Sequence, residues 1–314
     1  MSAVRRLSLF VVPALLVAGL TGCGADPAPA EPTSPGLDAV KISGEVGSAP
    51  KVTWVSQMDA DEIEPTTLIT GEGPKVADKD QVLTHLWIGN GFSQSESFST
   101  YDKDATAELV TIDENLAPFL AAMDGATIGS RIAVTSSAEN AFGEAGNAQL
   151  GIGNKDSVLV IIDLVSGVAE GPSGKRTPAP AWMPAMEFAK GDPAGFTFDG
   201  VPEPTKDLRK AVLLEGEGPV VEKGQAVVVR YLGQTFGGEA PFDENFSTGD
   251  PTSFGIGTGN VIKGWDQAIV GSTVGTRMVI EVPPDLGYGE AGNPDAGIKR
   301  TDTLVFVVDI LAAG

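Results

Sequence analysis

The chain has 314 residues, enough for about two domains, and 42% hydrophobic residues is an ordinary content for a protein that buries a core. Its 40 glycines and 22 prolines exclude an architecture of long helices and point to short strands joined by turns. With 21 basic and 42 acidic residues the formal charge is −21, which excludes nucleic acid as a partner, because that binding needs basic patches that displace counterions.

The first element in chain order is "MSAVRRLSLFVVPALLVAGLTGC", with a basic start at Arg5 and Arg6 and an apolar run from Leu7 to Leu20. The run is too short for a spanning helix and matches a secretory signal peptide over 1–22. It ends in Leu20-Thr21-Gly22-Cys23, which resembles the lipobox of bacterial lipoproteins, whose cysteine becomes the acylated first residue of the mature chain. That resemblance implies lipidation at Cys23 and an exported protein anchored to the outer face of the cell membrane. Cys23 is also the only cysteine, so no intramolecular disulfide can form.

Residues 23–36, "GADPAPAEPTSPG" from Gly24 onward, carry no apolar periodicity and read as an extended tether. Beyond them the pentapeptide GEAGN stands at Gly143–Asn147 and again at Gly289–Asn293. At the same offset Arg277 falls on Arg131, Gly275 on Gly129 and Asp309 on Asp163, and "LLEGEGPVV" (213–221) matches "LITGEGPKV" (68–76) at a nearly equal one. Two domains of one plan are therefore expected, 37–167 and 181–314, joined by a Gly/Pro-rich linker at 168–180. In the first, His85 lies in a strand and is the only histidine, so zinc has no ligand set and His85 reads as an ordinary strand residue. "DKDAT" (102–106) lacks the spacing of a calcium loop and reads as a solvated turn; no metal or other cofactor is expected.

In the second, "QAVVVRYL" (225–232), "TRMVIEV" (276–282) and "TLVFVVDIL" (303–311) are β-branched runs bounded by turn residues. One helical stretch, "IKGWDQAIVG", interrupts them: Ile262, Trp265, Ala268 and Ile269 share a face, and Gly271 stands where the helix should stop. The predicted class is α+β, each domain an antiparallel sheet wrapped on one short helix, with Trp265 pressed on the sheet.

The stretch "GNVIKGWDQAIVGSTVGTRMVIEVPPDLGYGEAG" closely resembles the FKBP family of peptidyl-prolyl cis/trans isomerases, and the likeness runs over 213–311. The family's pocket is walled by aromatic side chains with the helix Trp as floor. Carried over by position, this implies a site made of Tyr231, Phe242, Asp243, Phe254, Val261, Ile262, Trp265, Tyr288, Ile298 and Phe306. The resemblance further implies that the Tyr288 hydroxyl holds a substrate carbonyl and that Asp243 bonds to Tyr231. Thr252 stands where the family often has Phe, and "NPDAGIKRTD" is longer than usual before the last strand and lacks the common Ile-Pro-Pro. Both departures bear on sequence preference and macrolide affinity.

In the first copy the alignment puts Phe142 at the Tyr288 position, Phe119 at Trp265, Ser99 (beside Phe98) at Asp243, Leu86 at Tyr231, Asn115 at Val261 and Val160 at Phe306. The polar handles are gone, since Phe142 keeps a ring but donates no hydrogen bond. The reading is an isomerase for Pro-containing exported or unfolded polypeptides, active in 181–314, beside a degenerate FKBP-like copy. The alternative is a non-catalytic exported chaperone or scaffold that binds such segments. No heptad repeat suggests assembly, so a monomer is expected.

Overall fold

Consecutive apolar residues, rather than strict alternation, mark the longest strands, and a strand of that kind is buried on both faces. The computed structural model describes residues 32–103, 105–114 and 116–314, so the signal peptide and Cys23 lie outside the described residues. In chain order the strands are β1 (Thr33–Pro35), β2 (Val40–Ser43), β3 (Lys51–Trp54), β4 (Gln57–Asp59), β5 (Glu64–Ile69), β6 (Gln81–Asn90), β7 (Ser95–Ser99), β8 (Glu108–Thr111), β9 (Arg131–Ser137) and β10 (Ser157–Gly167). They continue with β11 (Lys175–Arg176), β12 (Ala185–Ala189), β13 (Asp192–Thr197), β14 (Arg209–Glu215), β15 (Ala226–Thr235), β16 (Pro241–Glu244), β17 (Thr252–Gly255), β18 (Arg277–Val282) and β19 (Leu304–Ala313). The two α-helices are short, α1 (Ala138–Phe142) and α2 (Lys263–Ile269).

Two antiparallel sheets carry the same strand order. The first runs β5-β9-β10-β6-β7 with β8 also on β6; the second runs β14-β18-β19-β15-β16 with β17 also on β15, and β11 is added outside β14. Registers agree as well: Leu86 faces Ile162 as Tyr231 faces Val308, and Asp163 faces Arg131 as Asp309 faces Arg277. Inside these pairs Arg131 Nε lies 2.6 Å from Asp163 Oδ1, and Arg277 Nε lies 2.5 Å from Asp309 Oδ1.

The GEAGN repeat has a backbone cause. Asn147 and Ile152 exchange hydrogen bonds of 2.9 and 3.0 Å, and Asn293 and Ile298 exchange bonds of 2.8 and 2.9 Å, closing one loop shape twice. Gly146 (φ +65°) and Gly292 (φ +60°) sit so close to the carbonyls of Ile152 and Ile298 that a Cβ would fall 2.7 and 2.5 Å from those oxygens. Only glycine fits there.

Each sheet packs one face on its own core. In the second half that face meets α2, whose Trp265, Ala268 and Ile269 are buried against Met278, Ile280, Phe306 and Val308. In the first half the expected helix is instead a 3₁₀ turn, Pro118–Met123. Pro118 opens that turn at the first position, where no N–H is needed.

The opposite faces are covered too, by segments the sequence did not announce. Trp54, Val40 and Met58 lie on Trp87, Ala133, Leu159 and Ile161. Trp182, Met186 and Phe196 lie on Leu232, Val279, Val305 and Val307. Two expectations are corrected accordingly. The tether over 23–36 ends sooner, because Thr33–Pro35 is paired with β4. The linker at 168–180 is bound rather than loose: Lys175–Arg176 pairs with β14, the Ala169 N–H donates to the Leu311 carbonyl, and the Ser173 N–H donates to the Gly275 carbonyl. Residues 32–314 form one compact unit. Among the described residues no helix is long and apolar enough to cross a membrane.

Candidate functional site

The floor of the site is set by α2. Trp265 is 4% exposed, and three rings stand edge-on around it: Tyr231 at 5.3 Å, Phe254 at 5.5 Å and Phe306 at 5.4 Å between centroids. Such perpendicular contacts match the positive edge of one ring to the negative face of another and hold the box in one shape. Phe242 meets Phe306 edge-on at 5.7 Å and completes a wall. Two rings can approach over β15 because that strand carries Gly233 between them; a Cβ there would lie 2.6 Å from both Phe242 Cζ and Phe306 Cε1. The result is a cavity of about 560 Å³.

Its polar groups are few and fixed. The Tyr231 hydroxyl donates to Asp243 Oδ2 at 2.7 Å. Burial, and then that hydrogen bond, push the Tyr231 phenol well above its ordinary range, so it stays protonated at neutral pH. The Asp266 carboxylate accepts the N–H of Gly257 at 2.7 Å and of Gly259 at 3.1 Å, which pins the loop entering α2. Tyr288 stands at the rim, 38% exposed. The Trp265 indole N–H is buried and has no acceptor among the described residues. No nucleophile with an activating base lines this space. Rings, one phenol–carboxylate pair and rim donors suit it to binding and conformational work on an apolar group.

Of the ten residues expected from sequence, the structure brings nine to this cavity: Tyr231, Phe242, Asp243, Phe254, Val261, Ile262, Trp265, Tyr288 and Phe306. Ile298 is not with them. It is 3% exposed in the core, where its exchange of hydrogen bonds with Asn293 closes the GEAGN loop and turns its side chain inward. Thr252 is exposed and also lies outside the lining, accepting a 3.3 Å hydrogen bond from Asn245. Gly259, Asn260, Lys263 and Gly287 complete the rim and were missed. All four lie within the quoted stretch "GNVIKGWDQAIVGSTVGTRMVIEVPPDLGYGEAG", which was the available signal.

The first half arranges the equivalent positions differently. Ile88 occupies the register of Gly233, since it faces Val160 as Gly233 faces Phe306. Both strands then bulge at the same step, so Phe98 falls on Asp243 and Ser97 on Phe242. The alignment of Ser99 with Asp243 is thus corrected by one residue. Phe142 closes edge-on over Phe119 at 5.4 Å. Asn115 lies outside the described residues. His85 is a packed strand residue: its ring stacks on Tyr101 at 4.2 Å and lies 2.7 Å from Thr100 Oγ1.

A family model described as FKBP-type peptidyl-prolyl cis-trans isomerase matches residues 218–311, a span that contains every cavity residue. The chain is 41% identical over 110 residues to an FK506-binding protein of Streptomyces anulatus, covering 35% of this chain and 89% of that one. The chain belongs to the FKBP-type peptidyl-prolyl cis-trans isomerase family. It is also 42% identical over 90 residues to the peptidyl-prolyl cis-trans isomerase FKBP15-2 of Arabidopsis thaliana, covering 29% of this chain and 54% of that protein. A third relative, the isomerase FPR2 of Saccharomyces cerevisiae, is 40% identical over 88 residues, covering 28% of this chain and 64% of its own. The chain thus spans only about half to two thirds of these last two relatives. The FKBP-like fold, antiparallel sheets with few helices, agrees with the architecture above.

Proposed function

We propose that this protein catalyses cis/trans isomerisation of X–Pro bonds in exported polypeptides, using the aromatic cavity of its C-terminal half. The observation that carries the reading is the box of Tyr231, Phe254 and Phe306 standing edge-on around a buried Trp265 whose N–H is unpaired. Rotation about an X–Pro bond crosses a barrier of about 18–20 kcal/mol because it breaks amide resonance. No covalent chemistry is required; the barrier falls if the twisted bond is bound better than either planar one. The proline ring enters the slot between Phe242, Phe254, Trp265 and Phe306. A twisted amide has lost much of its carbonyl dipole and therefore tolerates a water-poor cavity better than a planar amide does. The Tyr288 hydroxyl donates to a substrate carbonyl from the rim. Asp243 acts through Tyr231, whose ring it holds in the wall.

The residues from 37 to 167 are proposed to form a second FKBP-like domain without isomerase activity. The shared strand order and the filled position of Gly233 support this. Export and anchoring through a lipid on Cys23, with the protein acting as a monomer, complete the proposal; their support is the LTGC box after a short apolar run. Proline-limited refolding of a test protein, with the full chain as catalyst, checks the enzymatic reading. Phe242→Ser, which installs the residue of the first half at that register, should lower the rate on the order of a hundredfold. A full rate in that variant would refute the slot. Cys23→Ser should move the protein from the membrane to the soluble fraction.

A further inference from the structure

The strand that carries Phe254 is not held by its own sheet alone. β17 pairs with one end of β15, with Phe254 facing Val227 and Gly255 facing Ala226. On the outer side of that end lies the first half of the chain. Leu83 and Ala107 are buried at 0% and 3% against Ala226, Val228 and Ala312, with Leu109 and Val168 packed around them. Gly314, which exchanges hydrogen bonds with Ala226, has no room for a Cβ because one would meet Val165 Cγ1 at 2.5 Å. At Gly255 a Cβ would stand 3.1 Å from Asn260 Nδ2 and 3.3 Å from the Thr106 methyl, so Thr106 of the first half borders the space beside the residue next to Phe254. At the Pro251 end, just before β17, the halves diverge around a cavity of about 430 Å³ bordered by Gln81, Thr111, Gly249 and Asp250.

We infer that Thr106 and Ala107 of the first half are positioning residues for the isomerase cavity, clamping the Gly255 end of β17 and thereby the Phe254 wall. Phe254 meets both Tyr231, at 5.9 Å, and Trp265, at 5.5 Å. A small shift of β17 therefore changes the slot on two sides. The first half, with Ile88 where the second has Gly233, contributes to turnover by holding a wall of the other. This inference rests on the catalytic reading above, and its test separates the two.

The test uses the full chain and two readouts, kcat/KM on a proline-containing tetrapeptide and backbone hydrogen exchange at Phe254 and Gly255. Thr106→Ser deletes the methyl that faces Gly255, whereas Thr106→Val retains it. Thr106→Ser should speed exchange at β17 about three- to tenfold while β18 and β19 stay protected, and should lower kcat/KM about threefold. Thr106→Val should match the wild type in both. The bulkier Ala107→Trp, which wedges the seam, should lower kcat/KM on the order of tenfold. If Ala107→Trp does not fold, the Thr106 pair still decides. Identical exchange in Thr106→Ser, Thr106→Val and wild type overturns the clamp, as does faster exchange with an unchanged kcat/KM. A wild-type chain with no isomerase activity would refute the catalytic reading instead, and the exchange data would still report on the clamp.

Discussion

The two halves differ most instructively at one register. Over β15, Gly233 leaves a gap that Phe242 and Phe306 bridge from either side; over β6, Ile88 fills the same place beside Ser97 and Val160. Everything that frames the register is kept. Thr100 accepts the Leu86 N–H at 2.9 Å as Asn245 accepts the Tyr231 N–H at 2.7 Å, and both halves retain the arginine–aspartate pair and the GEAGN loop. The comparison teaches that the scaffold and the slot are separable. A missing side chain in the strand and large rings beside it make a cavity, whereas an aliphatic side chain and small neighbours make a plain core.

The largest expected effect concerns the frame. Asp163, itself 1% exposed, accepts hydrogen bonds from Arg131, from the Gly47 N–H at 2.8 Å and from the Tyr101 hydroxyl. Asp163→Ala would strand the Arg131 guanidinium and should cost about 3–5 kcal/mol. Asp309→Ala should cost a similar amount, read from urea midpoints; a much smaller loss in either would show that the frames are not equivalent.

Next comes the register itself. Gly233→Ile writes the first half's residue into the second and forces Phe242 and Phe306 apart. It should cost about 1–3 kcal/mol by overpacking and abolish turnover. In the opposite direction Ile88→Ala should cost about 2–5 kcal/mol and leave turnover unchanged. Activity surviving Gly233→Ile would break the comparison.

A smaller effect tests the rim. Tyr288→Phe keeps the ring and removes only the hydroxyl, so the loss should be about 1 kcal/mol, roughly fivefold in kcat/KM, with an unchanged melting temperature.

The smallest effect is one of pH. Burial first lowers the pKa of His85, against the opposing pull of Asp163. A histidine whose folded pKa is depressed contributes stability above its unfolded pKa of about 6.5 and loses it as pH falls through the folded value. His85→Gln should therefore flatten the acid side of the stability curve below about pH 6.5 relative to wild type. Parallel curves would show that His85 does not sense the change.

Much of this was legible in the sequence because the signals were local. β-branched runs gave β15, β18 and β19, and apolar spacing gave α2, although Ile262 is the residue before the helix rather than its first turn. The constant offset between the GEAGN loops located the second sheet against the first. What escaped was non-local. Runs such as "VLVIID" and "VFVVDI" declare burial on two faces but not which segment covers the outer one, and here it is residues distant in sequence, such as Trp54 and Phe196. A bulge moves every later pair by one, so the alignment put Ser99 where the ladder puts Phe98. Ile298 was misplaced because a residue beside a cavity and a residue beneath it read alike in one dimension.

The central claim, that one slot works while the other is core, is tested most directly by a matched pair in the full chain. Trp265→Leu and Phe119→Leu each replace the floor ring of one half by the same aliphatic side chain. Their catalysis of a proline-limited refolding reaction is compared with wild type at equal concentration, with circular dichroism confirming that both are folded. The account predicts a loss on the order of tenfold or more for Trp265→Leu and a wild-type rate for Phe119→Leu. Equal losses in the two, or a wild-type rate from Trp265→Leu, would contradict it.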